Sequence, residues 1–220
     1  MAISAIVKSL IWKIHMFKRQ SLTASKLMVG SIITQRWVRI TDKNVTNVSG
    51  EMLNEVLRLY NENFTEINEE RFTKYALFFR KTTYVYTRNN EVKGYCLYYI
   101  KPCLSTKGFQ KTATLYSFTV DSRCRGQGIG VKLLQKSLLE MRLNSITSAR
   151  LYVATDNTAA INLYGKVGFA VKRKVMDICG PGKECYEMEI LLDDRFRCED
   201  EFEKNIFQDP QLMTLLAIVK

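Results

Sequence analysis

The sequence has one histidine, His15, in a stretch that also lacks acidic residues, since no Asp or Glu precedes Asp42. A lone histidine so placed argues against Ser-His or Cys-His nucleophilic catalysis, which needs a base beside the nucleophile. The cysteines Cys96, Cys103, Cys124, Cys179, Cys185 and Cys198 form neither a Cys-x-x-Cys pair nor a zinc-like spacing, so no metal centre is expected. Cys179 and Cys185 flank "GPGKE" and could meet across a hairpin, but without a secretory context free thiols in a reducing compartment are the expectation. There is no run of about 18 or more apolar residues, hence no candidate membrane-spanning helix. Internal repeats and low-complexity tracts are lacking too.

What remains is a 220-residue chain, 46% apolar and 11% aromatic, long enough for one sizeable core with appendages. Its formal charge of +11 suggests a polyanionic partner at first sight. Lys8, Lys13, Lys18, Lys26, Arg19, Arg36 and Arg39 supply seven of those charges before residue 42, so the body carries only four. A basic-tailed nucleic-acid adaptor is therefore a minor alternative. The acid-free stretch reads equally as a transit peptide, a surface-lying helix in contact with a membrane, or a disordered tail. A cytoplasmic location is expected, with a mitochondrial or other organellar one as the alternative.

Hydrophobic periodicity gives the order of elements. "WVRIT" (37–41) reads as a strand, 49–64 as a helix, and a second helix follows Asn68 as N-cap. Two β-branched and aromatic runs around "RNNE" predict a hairpin over roughly 82–100, with "KPCLSTKGFQK" as its polar exit loop and 112–120 as the next strand. A helix over 129–143, a strand at 149–155, a short helix at 157–167 and a last hairpin complete the series. The order β-α-α-β-β-β-α-β-α-β-β joins antiparallel neighbours to one parallel crossover, so the fold class is α/β mixed (α+β): a mixed six- to seven-stranded sheet with helices on both faces.

Between strand 112–120 and helix 129–143 lies "RCRGQGIGVKLL", with Gly126, Gly128 and Gly130 within five positions. Bare amides at a helix start form an anion site, and phosphate is the obvious guest. A Walker A loop fails because Lys132 is not adjacent to a glycine and no Ser or Thr follows it, and Gly-x-Gly-x-x-Gly fails at Val131 and Leu133. What is left is Arg-x-x-Gly-x-Gly on Arg125, Gly128 and Gly130.

These residues carry a resemblance. "LYSFTVDSRCRGQGIGVKLLQKSLLEM" is similar to motif A of the GNAT superfamily of acetyl-CoA-dependent N-acetyltransferases, and "LYVATDNTAAINLYGKVGF" to its motif B. The resemblance covers 37–192 and divides the chain into a basic extension (1–36), a GNAT domain (37–192) and a C-terminal extension (193–220). It is nearest in look to ribosomal-protein alanine and protein N-terminal acetyltransferases. It implies acetyl-CoA as co-substrate, with its pyrophosphate wrapped by the amides of Arg125, Gly126, Gln127, Gly128, Ile129, Gly130 and Val131. It further implies Phe118, Thr119, Val120 and Asn157 against the pantetheine arm, and Tyr164 as proton donor to the leaving thiolate. The implied acceptor is a primary amine, preferably a protein or peptide N-terminus, then a small amine.

The chain departs from the subfamily at Tyr152, where a Glu on the fifth strand is expected. That leaves the base unassigned among Glu66, Glu69, Glu70, Tyr116 and Tyr186, and keeps open a non-catalytic acyl-CoA-binding module. An α-amine is about one-tenth neutral at pH 7, against well under ~0.1% for a lysine, so only a lysine-like acceptor needs a strong base. Glu62, Glu66, Glu69 and Glu70 read either as an acidic rim for a cationic amine or as a solvated helix start.

Overall fold

The structure, a computed structural model, describes residues 28–64, 68–105 and 108–192. The expectations for residues 1–27, Glu66 and 193–220 lie outside the described residues. The strands are β1 (Val45–Asn47), β2 (Thr83–Arg88), β3 (Glu91–Ser105), β4 (Gly108–Val120), β5 (Ser148–Ala154), β6 (Ala170–Met176) and β7 (Glu184–Leu191). Residues 28–33 are also helical, and the helices that pack on the sheet are α1 (Leu53–Asn63), α2 (Glu69–Phe78), α3 (Ile129–Leu143) and α4 (Thr158–Lys166). They form one seven-stranded sheet in the order β1-β2-β3-β4-β5-β7-β6, in which β4 and β5 alone are parallel. Fold class and element order stand as expected.

Local chemistry explains the main turns. Asn89 and Asn90 take positive φ of 53° and 62° in the two-residue β2–β3 connection, which a tight hairpin requires and Asn tolerates. The Asn68 side chain accepts from the Arg71 amide at 2.9 Å and caps α2. Apolar residues at helical spacing then bury the two faces. Val56, Leu59, Tyr60, Phe72 and Ala76 of α1 and α2 close over Val85, Tyr95 and Leu97. Ile129, Leu133, Leu134, Leu138 and Met141 of α3 cover the opposite face with Tyr84, Cys96, Tyr98 and Ile100. Each such buried side chain contributes about 1.5–3 kcal/mol of transfer free energy.

Three expectations are corrected. Residues 37–41 are not a strand, because α3 satisfies their backbone with side chains. Asn144 accepts from the Val38 amide at 2.8 Å and donates to the Val38 carbonyl at 2.9 Å, while Glu140 accepts from the Ile40 amide at 2.9 Å. The first strand forms instead at Val45–Asn47 against β2. "KPCLSTKGFQK" is not an exit loop: Lys101–Ser105 and Gly108–Lys111 continue the β3–β4 ladder, with Pro102 opposite Lys111. Beyond Leu97 strand β3 has no β2 partner, and an edge tolerates a proline. Finally, Cys179 and Cys185 are joined as a disulfide, Cα–Cα 6.3 Å, where free thiols were expected.

Candidate active site

The glycine loop begins with a buried carboxylate. Asp121, 1% exposed, accepts from the amide and Nε of Arg123 at 3.0 Å each and from its Nη2 at 2.8 Å, with an Arg58 nitrogen 3.8 Å away. The Arg123 side-chain bonds hold the carboxyl down to about 2 against the cost of its burial. It thereby pins a 3-10 turn, Ser122–Cys124, at the end of β4. Gly126 and Gly128 follow at φ 75° and 76°, a conformation glycine adopts without strain.

No amide from Gly126 to Val131 donates to a protein group among the described residues. The first intrahelical bond runs from the Lys132 amide to the Gly128 carbonyl at 3.0 Å. Successive free donors at the start of a 15-residue helix form an anion cradle built from main chain and dipole. The side chains around it are engaged elsewhere. Arg125 donates to the Val120 carbonyl at 3.3 Å and to Asn63 of α1. Gln127 accepts from Arg88 at 2.9 Å and its side chain does not line the cleft.

From the cradle a cleft of about 870 Å³ runs between β4 and β5. These strands pair only over Thr112–Thr114 with Ser148–Arg150, then part. The parting coincides with a bulge: Tyr98 opposes Leu115 and Leu97 opposes Ser117, which leaves Tyr116 as the extra residue that bends β4. The Asp121 amide bonds β3 at the Lys93 carbonyl, so by strand alternation the Phe118 and Val120 amides face the cleft. Phe118, Thr119 and Val120 line it, together with Arg125, Gly126 and Gly128 to Val131.

Gly130 has a second role besides offering an amide. A Cβ there would stand 3.1 Å from both Leu163 Cδ2 and Phe118 Cζ, so the glycine lets α3 close onto α4 and β4. Tyr164 is on α4, 8% exposed, with its ring 6.1 Å from that of Phe118 and 6.0 Å from that of Phe169. Burial holds its phenol well above the ordinary value, which keeps the proton on at working pH. Asn157 lines the cleft and accepts from the Ala160 amide at 3.2 Å as the cap of α4, which leaves its amide nitrogen as a donor for a ligand.

At the other end the lining is aromatic: Phe64, Tyr116 and Tyr152, with Cys179 beside them. Tyr116 is pushed up to about 12, chiefly by burial, with Arg71 above its ring at 5.9 Å acting in the opposite sense. Burial, then the neighbouring Glu187, raises Tyr152 as well. Among the described residues, no Asp or Glu lines the cleft. Glu62 pairs with Arg58 at 2.7 Å, Glu70 with Lys74 at 2.5 Å, and Glu69 accepts from Asn61. Glu62, Glu69 and Glu70 are thus occupied at the helix ends, and of the described base candidates only Tyr116 lines the cleft. Tyr186 packs on the α3-covered core with Lys174 over its ring.

The sequence reading missed Asp121, Asn63 and Glu187. Asp121 had a signal in its place between a strand and an arginine-containing turn. Glu187, 1% exposed, pairs with Arg173 at 2.7 Å and stands opposite Tyr152 in the β5–β7 register. That apposition depends on a register the sequence does not display.

The model of the acetyltransferase (GNAT) family matches residues 51–169, more than half of the chain. The chain belongs to the GNAT family. A mycothiol acetyltransferase from Nocardia farcinica (strain IFM 10152) is 38% identical over 56 residues, 26% of this chain and 18% of the relative. The matched segment therefore spans less than a fifth of that protein. Among solved structures, a NatC complex bound to Gag peptide and CoA superimposes with a TM-score of 0.60 at 18% identity, over 68% of this chain and 98% of that one. The ribosomal-protein-S18-alanine N-acetyltransferase of Escherichia coli gives 0.54 at 17%, over 71% and 97%. At such identities the likeness concerns the fold, a GNAT fold in each case.

Proposed function

We propose that this GNAT protein transfers an acetyl group from acetyl-CoA to the α-amine of a peptide or protein N-terminus. The observation that carries the reading is a continuous path. It runs from the free amides of Gly126 to Val131, through the β4–β5 parting, to the buried Tyr164. Those amides suit a diphosphate, and the exposed polar edge of β4 suits the amide-bearing arm of a CoA. The thioester, when bound, supplies the activated acyl carbon.

The remaining chemistry belongs to the chain. The Val120 amide, which faces the cleft, is the donor for the oxyanion, and its place in the strand preorganises it. Tyr164, kept protonated by its surroundings, is the proton donor for the departing sulfur. Tyr152 and Tyr116 are also held in the protonated form, so they orient an amine by hydrogen bonding and do not strip it of a proton. That suits an α-amine, a fraction of which is already neutral at pH 7. It suits a polyamine less, because the described lining holds no carboxylate as counter-charge to a second ammonium. The peptide bound in the NatC structure supports the same choice of acceptor.

A small-molecule acceptor is the second reading, favoured by the mycothiol acetyltransferase similarity. Incubating the protein with labelled acetyl-CoA, a panel of N-terminal peptides and a panel of small amines, read by mass spectrometry, separates the two. Label on peptide α-amines is expected. Label only on small amines gives the second reading, and CoA binding with no labelled product gives a non-catalytic module.

A further inference from the structure

Eight large apolar side chains are exposed among the described residues, and five of them gather at one end of the molecule: Met28, Val29 and Ile32, with Leu77 and Phe78. Residues 28–33 are helical and continue into a 3-10 turn, Thr34–Arg36. This helical stretch is fastened to the sheet by its other side. Gly30 sits so close to β3 that a Cβ would collide with the Ile100 carbonyl, and it lies near the Phe79 ring. Thr34 is buried and Lys81 donates to the Gln35 carbonyl. The Phe78 ring packs edge-on against Phe79 at 5.3 Å, which joins the apolar end of α2 to the apolar face of the helix. A contiguous patch of this kind marks an interaction surface.

Charge selects the occupant. Arg36 and Arg80 are exposed beside the patch and pair with no carboxylate among the described residues. The chain that leads into the patch, residues 1–27, carries Lys8, Lys13, Lys18, Arg19 and Lys26 and no acid. A second copy would bring the same cations against these, and so would that leading segment if it covered the patch. A nucleic acid would meet the cations but leave the apolar side chains without a partner. An anionic lipid surface satisfies both, since apolar side chains enter the acyl boundary while cations meet headgroup charge. The orientation is also compatible with turnover. The patch lies at Ile100, opposite Ala113, whereas the cleft occupies β4 from Leu115 to Val120.

We propose that the Met28–Ile32 helix and the Leu77–Phe78 end of α2 form a docking surface for an anionic lipid bilayer, on which the protein sits peripherally. Each cation near such a surface adds roughly fivefold to partitioning, so Arg36 and Arg80 reinforce the apolar contact.

The test is sedimentation of the full chain with vesicles of phosphatidylcholine, with and without phosphatidylserine. Binding should need phosphatidylserine and weaken as salt rises. Ile32→Asp combined with Phe78→Asp should lower partitioning at least about tenfold, and Arg80→Glu more modestly, with far-UV circular dichroism and thermal melting unchanged because all three positions are exposed. The proposal is overturned if the folded wild-type chain stays in the supernatant, or if the double variant sediments like wild type. It is equally overturned if Phe78→Asp instead abolishes a dimer seen by light scattering while vesicle binding is absent.

Discussion

The two ends of the cleft are built from different materials. The glycine-loop end is main chain: six consecutive amides, two residues at positive φ, and side chains that turn away to hold the loop. The aromatic end is side chain: Phe64, Tyr116 and Tyr152 from three separate elements, backed by Glu187. Backbone donors recognise any diphosphate of the right shape and tolerate little change of conformation. Side chains can be exchanged singly, which makes the aromatic end the natural place for acceptor choice to vary.

This contrast is open to attack by substitution. Tyr164→Phe, at the junction, should produce the largest change: a fall in kcat of ~10²-fold or more with CoA affinity held within about twofold, measured by stopped assay and calorimetry. A proportionate loss of CoA binding would reassign Tyr164 to packing. Asp121→Asn strikes the loop itself and should cost about 1–3 kcal/mol, read as a lower Tm and weaker CoA binding together.

The same carboxylate predicts an acid limb. Because folding depresses its pKa, its stabilisation is complete above the ordinary carboxylate value of about 4 and is lost as pH falls through about 2. Melting curves of wild type and Asp121→Asn should therefore converge at the acid end. Gly128→Ala meets no atom within 4 Å but must hold φ at 76°, so about 1 kcal/mol, or roughly 2–4 °C in Tm, is expected. The smallest effect belongs to the far end: Tyr152→Phe should change KM for the acceptor a few-fold and leave CoA affinity alone. An equal effect on both ligands would erase the distinction between the two ends.

The legibility of the molecule follows the same division. Glycine spacing and helical period are local, and they placed α3 at Ile129–Leu143 and the cradle ahead of it without any knowledge of tertiary structure. The failures came where a distant group decided the outcome. Residues 37–41 carry strand-like residues, but Glu140 and Asn144, about a hundred positions later, take their hydrogen bonds. Pro102 looked like a loop signal because nothing local reveals that β3 has become an edge there. The acidic helix ends read as an amine rim or as a solvated helix start, and the pairing of Glu62 with Arg58 and of Glu70 with Lys74 favours the second.

The tight fit at Gly130 has one more consequence. Leu163 and Phe118 rest against a glycine and adjoin Tyr164, so close packing sets the span from the amide cradle to the phenol. For the proposed carrier this makes the cleft a ruler. Only an arm of one length brings its acyl carbon level with the hydroxyl, and a shorter or longer thiol could be gripped firmly and still go unreacted.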